Sequence, residues 1–209
     1  MSIPNREISL GFTKEPFPAG THMCYIFNDD DERHRLIAKF IESGLLGGEK
    51  VGYFASAYKE KPDADALKDL GVSPAPRLRQ GQFKEALADE VYCPGHVFDP
   101  DRMLGNIRNL YSDSIKEGYT GGRASGEMEW ALKGIPGSDW LIEYEAKINT
   151  IVGKYPATTI CQYDARLFDG ATLFEVLRVH PMMIIRGHVV RNPYYVPAEE
   201  YLQHFAHVA

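Results

Sequence analysis

The run Asn28-Asp29-Asp30-Asp31-Glu32-Arg33 stands where an apolar stretch gives way to a helical pattern. In parallel α/β proteins, ligands bind at such strand-to-helix loops. A phosphate cradle there needs glycines that let backbone N–H groups approach, with a lysine and a hydroxyl for the terminal phosphates and magnesium. This run has none of these and carries four carboxylates. Like charges about 4 Å apart repel by roughly 1 kcal/mol even in water. The acids instead suit a helix start, as caps and as complements to its dipole. Ordinary P-loop nucleotide hydrolysis is therefore disfavoured, and no nucleoside triphosphate is expected as a cofactor.

Other residues could carry ligand on the same rim. Glu127 closes the stretch GRASGEM, whose period of two puts Arg123, Ser125, Glu127 and Glu129 on one face. A buried glutamate needs a partner, and Arg123 is the candidate within the segment. A ligand-binding acid and a structural ion pair are equally compatible with this pattern. Asp164, beside Tyr163, ends the stretch CQYD and serves either ligand binding or a turn. Trp130 suits a pocket wall or the core. His22 and Cys24 alternate on the first strand, and with Cys161 and His180 they would make a soft-metal site if they converged. They form no compact ligand motif, so no metal site is assigned. Nor is there a GxSxG elbow, an HExxH helix or a GxGxxG loop, and no catalytic residue is assigned.

The elements that must position these groups alternate. His22–Phe27, Lys50–Ser56, Gly121–Met128 and Ala157–Asp164 read as strands, with another near Arg77–Phe83. Helices are expected over Asp31–Leu46, Lys59–Leu70, from Asp99-Pro100 to Gly118, from Ser138 and over Gly170–Val179. Pro181–Arg186 opens a closing strand or hairpin ending near Val190. A tail follows whose Tyr194, Tyr195, Tyr201 and Phe205 are expected to pack back on the core. This order predicts an α/β fold with a mainly parallel sheet and helices on both faces. Residues 1–20 read as an N-terminal extension and 21–209 as one domain.

Of the 209 residues, 44% are hydrophobic and 25% charged, with a net charge of -6. That balance argues against a surface built for nucleic acid or anionic lipid. Cys24, Cys93 and Cys161 cannot all pair within the chain, which points to free thiols in a reducing cytosol. The first twenty residues lack a continuous apolar core, and no run approaches the roughly 18 apolar residues of a spanning helix. A soluble, cytoplasmic protein is expected, and a homodimer is compatible with a soluble sensor.

The ordered blocks GTHMCYIF, LLGGEKVGYFAS, GRASGEMEWAL, WLIEYEAKIN, ATTICQYDARLF and LRVHPMMIIRGHVVRNPYYVP resemble the MEDS domain. This sensory domain is named from methanogens and from the dichloromethane-responsive regulators of methylotrophs. The resemblance spans roughly residues 18 to 200. It implies a fold related to RecA-like and circadian-clock ATPases with a degenerate nucleotide site, and a role in sensing simple hydrocarbon derivatives. Family members often carry a DNA-binding or histidine-kinase module. This chain has no such segment, so the expectation is signalling to a separate kinase or transcription regulator, without direct nucleic-acid contact. Combined with the rim reading, the ligand set is His22, Cys24, Tyr25, Asn28, Arg123, Glu127, Trp130, Tyr163, Asp164 and His180. The alternative is an adaptor that docks its partner without ligand.

Overall fold

The structure, a computed structural model, describes residues 6–56 and 81–204. Strand β3 (His22–Phe27) leads into α1 (Asp30–Leu46), and β4 (Lys50–Ala55) follows. Asp29 caps α1 by accepting the Glu32 N–H, and the helix stops at Gly47-Gly48, where Gly48 takes a left-handed φ of 74°. The expected helix over 59–70 lies outside the described residues. Beyond them come β5 (Phe83–Leu87), the short α2 (Ala88–Tyr92) and α3 (Pro100–Lys116). Helix α3 has the expected start, with Asp99 accepting the Arg102 N–H and Pro100 in the first turn.

The second half continues with β6 (Gly122–Glu127), α4 (Leu141–Ile151), β7 (Thr158–Asp164) and α5 (Gly170–Val179). The hairpin β8 (Met182–Ile185) and β9 (His188–Arg191) and a final α6 (Ala198–His204) complete the described elements. Ahead of β3, β1 (Glu7–Ile8) pairs antiparallel with β2 (Phe17–Pro18). Ile8 and Leu10 bury their side chains in the core beside α1.

The main sheet has the order β5-β4-β6-β7-β3-β8-β9 and is parallel except for β9. Its register sets Cys24 beside Cys161 and Glu127 beside Gln162. Side chains alternate between two faces. Met23, Tyr25, Val51, Tyr53 and Ile160 meet the Leu36, Ile37, Phe40 and Ile41 stripe of α1. Cys24, Cys161 and Tyr163 face the other side, against Met103, Leu104 and Ile107 of α3 and Tyr144 and Ile148 of α4. Each large apolar side chain so buried contributes about 1.5–3 kcal/mol.

Three expectations shift. The strand read near 77–83 begins at Phe83, where β5 pairs with β4. Ser138 opens a 3-10 turn, and α4 starts at Leu141. In the tail, Pro197 followed by Glu199 and Glu200 suits a helix start, and α6 forms there. Tyr201 packs inward from that helix, whereas Tyr194 stays exposed against Phe174. Phe205 lies outside the described residues.

Candidate functional site

The carboxyl rim is closed by arginines. Glu127, at the end of β6, pairs with Arg33 of α1 and accepts from the Tyr53 hydroxyl at 3.0 Å and the Ser56 N–H at 3.0 Å. Arg33 is buried and lies 5.0 Å above the Phe27 ring. Asp164 accepts from Arg166 Nε at 2.8 Å and Nη2 at 2.6 Å, and the same guanidinium reaches Asp30 at 2.9 Å. Hydrogen bonds from Arg166 hold the Asp164 carboxyl below its ordinary range. Burial, reinforced by Glu127 and Asp164, pushes the neighbouring Glu129 up.

The proposed Arg123–Glu127 pairing is corrected by this geometry. They lie four positions apart along an extended strand, about 13 Å. Arg123 sits at the opposite end, paired with Glu49, which Arg6 also binds, and donates to Phe40 O at 2.9 Å and Ser9 O at 3.0 Å. Gly44 makes room for it, since a Cβ there would lie 2.6 Å from Arg123 Cδ. Tyr25 faces α1 beside Glu32, and exposed Asn28 edges a shallow rim depression of about 170 Å³. Trp130 is fully buried, stacked on Tyr92 with centroids 5.2 Å apart.

A second group lies away from the rim, on the α4 face of the sheet. His22 opens β3, Cys161 is central in β7, and His180 joins α5 to β8. Glu145 enters from α4. The oxygen Glu145 Oε2 stands 3.0 Å from His22 Nε2, 3.3 Å from Cys161 Sγ and 3.4 Å from His180 Nε2. Its Oε1 accepts from the Tyr163 hydroxyl at 2.8 Å. All four residues are buried, and one ligand atom of each lies within 4.8 Å of the others.

The outer contacts orient both imidazoles. His22 Nδ1 faces Asn149 Oδ1 at 2.9 Å, and the Asn149 amide nitrogen donates to Val179 O at 2.7 Å, which fixes the amide's direction. His180 Nδ1 donates to Val176 O at 2.7 Å. Each Nδ1 therefore carries the proton and each Nε2 points inward, where that of His180 makes no hydrogen bond.

Burial and the facing His180 push His22 down, against Glu145 and Asn149. Burial is the largest single influence on Glu145 and would raise it. The two facing imidazoles, His180 and His22, together outweigh that influence and hold the carboxyl well below its ordinary range. The two partners thus pull the shared proton in opposite senses. Glu145 Oε2 and His22 Nε2, 3.0 Å apart, share one proton, and the Tyr163 hydroxyl donates to the second carboxyl oxygen. Burial, then the Glu145 charge, pushes the Cys161 thiol well up.

Cys161 also reaches a cavity of about 280 Å³ between the sheet and helices α3 and α4. Phe54, Tyr92, Met103, Ile107 and Tyr144 supply its largely apolar wall. Gly126 is required by this packing, since a Cβ there would collide with the Tyr92 hydroxyl. Burial pushes both the Tyr92 and Tyr144 phenols well above their ordinary range, so they remain neutral hydroxyls.

The structure brings His22, Tyr163 and His180 of the expected set into one cluster, with Cys161. Cys24 lies on the same face but its thiol turns to Met182 O at 3.8 Å. None of the expected ligand residues lines the cavity, which sits on a sheet face and not at the rim. Glu145, Asn149, Tyr92 and Tyr144 were missed. A signal for the first two exists, because Glu145 lies at i+4 from Leu141 within the buried stripe of α4, and half-buried Asn149 follows at i+8.

The architecture is a RecA-like α/β fold. It is similar to the KaiC-like protein PH0186 of Pyrococcus horikoshii OT3, at 19% identity and a TM-score of 0.59 over 86% of this chain and 80% of that one. It is also similar to the flagellar accessory protein FlaH of Methanocaldococcus jannaschii, at 11% identity and a TM-score of 0.60 over 88% and 83%. Over residues 21–181 the chain matches the methanogen/methylotroph, DcmR sensory domain, and it belongs to that MEDS family. A relative, the transcriptional repressor DcmR of Methylorubrum extorquens, is 23% identical over 160 residues, covering 76% of this chain. The chain spans 57% of that repressor's length. Among the described residues, no helix is long and apolar enough to cross a membrane.

Proposed function

We propose that this chain is a non-catalytic sensory domain that binds a small, largely apolar organic molecule in the cavity between the sheet and helices α3 and α4. The observation that carries this reading is the cavity itself. Its volume of about 280 Å³ lies at the lower edge of the roughly 300–1,000 Å³ of small-molecule sites. Such a space suits a short halocarbon, alcohol or methylated compound and is too small for a nucleotide. At the rim, Glu127 and Asp164 already have arginine partners and the α1 start is capped by Asp29, which argues against triphosphate binding there.

A ligand in the cavity touches α3, α4 and the end of α2 together. It acts by favouring one arrangement of these helices, limited by its differential affinity for the two states. The kinship with a transcriptional repressor supports an output through a transcription regulator or a histidine kinase, and the domain reads as a cytoplasmic unit, free or as a homodimer.

Thermal shift and calorimetry against a panel of small halocarbons, alcohols and methylated compounds test the reading. A member of the panel should raise the melting temperature, and Ile107→Trp, which fills the cavity, should abolish the rise. Silence across the panel from folded protein, or a response unchanged in I107W, would sink it. Phosphate release from nucleotide and magnesium should stay at background.

A further inference from the structure

The buried group on the α4 face has the composition and spacing of a metal centre. We propose that His22, Glu145, Cys161 and His180 together bind one divalent cation of the zinc class.

Tetrahedral zinc bonds of about 2.0–2.3 Å put neighbouring ligand atoms about 3.3–3.6 Å apart. Four of the six separations here are 3.0, 3.3, 3.4 and 3.5 Å, the last between Cys161 Sγ and His22 Nε2, and the other two, from His180 to His22 and to Cys161, lie within 4.8 Å. A cation can therefore enter with shifts of a few tenths of an ångström at most of these contacts. The donor set also selects the metal. Thiolate and imidazole favour zinc, cobalt and copper over magnesium or calcium, which want oxygen ligands.

Charge balance points the same way. One thiolate and one carboxylate neutralise a dication, and two neutral imidazoles complete the shell. Such a centre buries no net charge, which lowers the desolvation penalty of a fully enclosed site. On binding, the Cys161 thiol proton and the proton shared by His22 and Glu145 leave to solvent.

The outer contacts are those a metal site requires. Ligating histidines commonly donate their second N–H to a carbonyl or carboxylate, which aims the other nitrogen at the metal. His22 does so to Asn149, and His180 to Val176 O. Tyr163 fixes Glu145 through its second oxygen. The clearest sign is His180 Nε2, a buried lone pair without a hydrogen bond and aimed into the group. A purely structural network would be expected to satisfy that atom. Since Cys161 also touches the cavity, a molecule bound there would lie against a ligand of the metal. The metal site nevertheless stands without any cavity ligand.

The test uses the full chain, stripped by chelator, checked for fold by circular dichroism and titrated with Co²⁺ and then Zn²⁺. Uptake of one Co²⁺ per chain is expected, with the visible bands of tetrahedral cobalt and a near-ultraviolet thiolate-to-cobalt charge-transfer band. Zn²⁺ should bleach both. Cys161→Ser should remove the charge-transfer band and weaken Zn²⁺ binding about 100-fold or more. Asn149→Ala, which touches no metal, should weaken it about 10-fold. Cys24→Ser should change neither.

A folded chain that binds neither metal would overturn the proposal. So would a charge-transfer band that survives in C161S or depends on Cys24. If the stripped chain unfolds, refolding on Zn²⁺ addition with stoichiometric uptake supports the site, and refolding without uptake overturns it. Failure of the organic panel leaves these readouts untouched, so the two readings fail separately.

Discussion

Glu127 and Glu145 are both buried carboxylates in the same α/β scaffold, yet their neighbours differ in kind. Glu127 faces Arg33, a permanent cation whose planar group can neither lose its proton nor ligate a metal. Glu145 faces two imidazoles and a thiol, each able to give up a proton or accept a metal. Both sites satisfy an acid inside the protein. The rim does it with fixed charge and is chemically finished, whereas the α4-face cluster does it with groups that can change state. The rim groups are thus held by fixed ion pairs, and the response proposed above is assigned to the sheet face, where the cluster adjoins the cavity through Cys161.

The largest effect should come from breaking the fixed pair. Arg33→Met leaves Glu127 with a buried, uncompensated charge and should lower the unfolding free energy by about 3–5 kcal/mol. Urea denaturation measures this, and adding Glu127→Leu should restore much of the loss. A loss under 1 kcal/mol would mean that the rim pair is better hydrated than its burial indicates. Glu145→Gln in metal-stripped protein should cost less, about 1–2 kcal/mol. The amide oxygen can keep the Tyr163 hydrogen bond while its nitrogen donates to the imidazoles. A loss as large as that of the arginine variant would erase the proposed contrast, because the cluster would then depend on fixed charge too.

The smallest effect concerns Asp164, whose carboxyl Arg166 holds below the ordinary 3.8. A carboxyl lowered by folding stabilises fully above its unfolded value and loses that contribution as pH falls through the folded one. The wild-type protein should therefore lose stability below about pH 3.8, and Arg166→Gln should flatten that limb by lowering the neutral plateau toward the acid value. Denaturation curves across that range decide the matter. An unchanged acid limb would remove Asp164 from the set of rim acids that matter for folding.

Much of this architecture was legible in the sequence because its signals are local. Asp99-Pro100 announces α3, Gly47-Gly48 ends α1, and the strands His22–Phe27 and Thr158–Asp164 are short apolar runs of the right length. The pairings were not legible, because they span long stretches of chain. Arg33 reaches Glu127 across 94 positions, and no local pattern marks Arg33 over Arg123 as its partner. Strand alternation correctly grouped Arg123 with Glu127 on one face, but a face has two ends. The cluster was half visible, since His22, Cys161 and His180 are soft-metal donors whose type alone marks them in the sequence. Glu145 stayed hidden because a glutamate on a helix reads as a solvent-facing residue, even when its spacing from Leu141 places it in the buried stripe.

The Asn149 side chain has a consequence for how the molecule opens. One face of its amide orients His22, at the start of β3, and the other holds the carbonyl of Val179, the neighbour of His180. A single side chain thereby clasps positions 157 residues apart along the chain (179 − 22), a span whose closure costs little more entropy than a loop half its length. Detachment of the β8–β9 hairpin and fraying of β3 share this fastening, so the early and late parts of the sheet should open as one cooperative unit in hydrogen exchange.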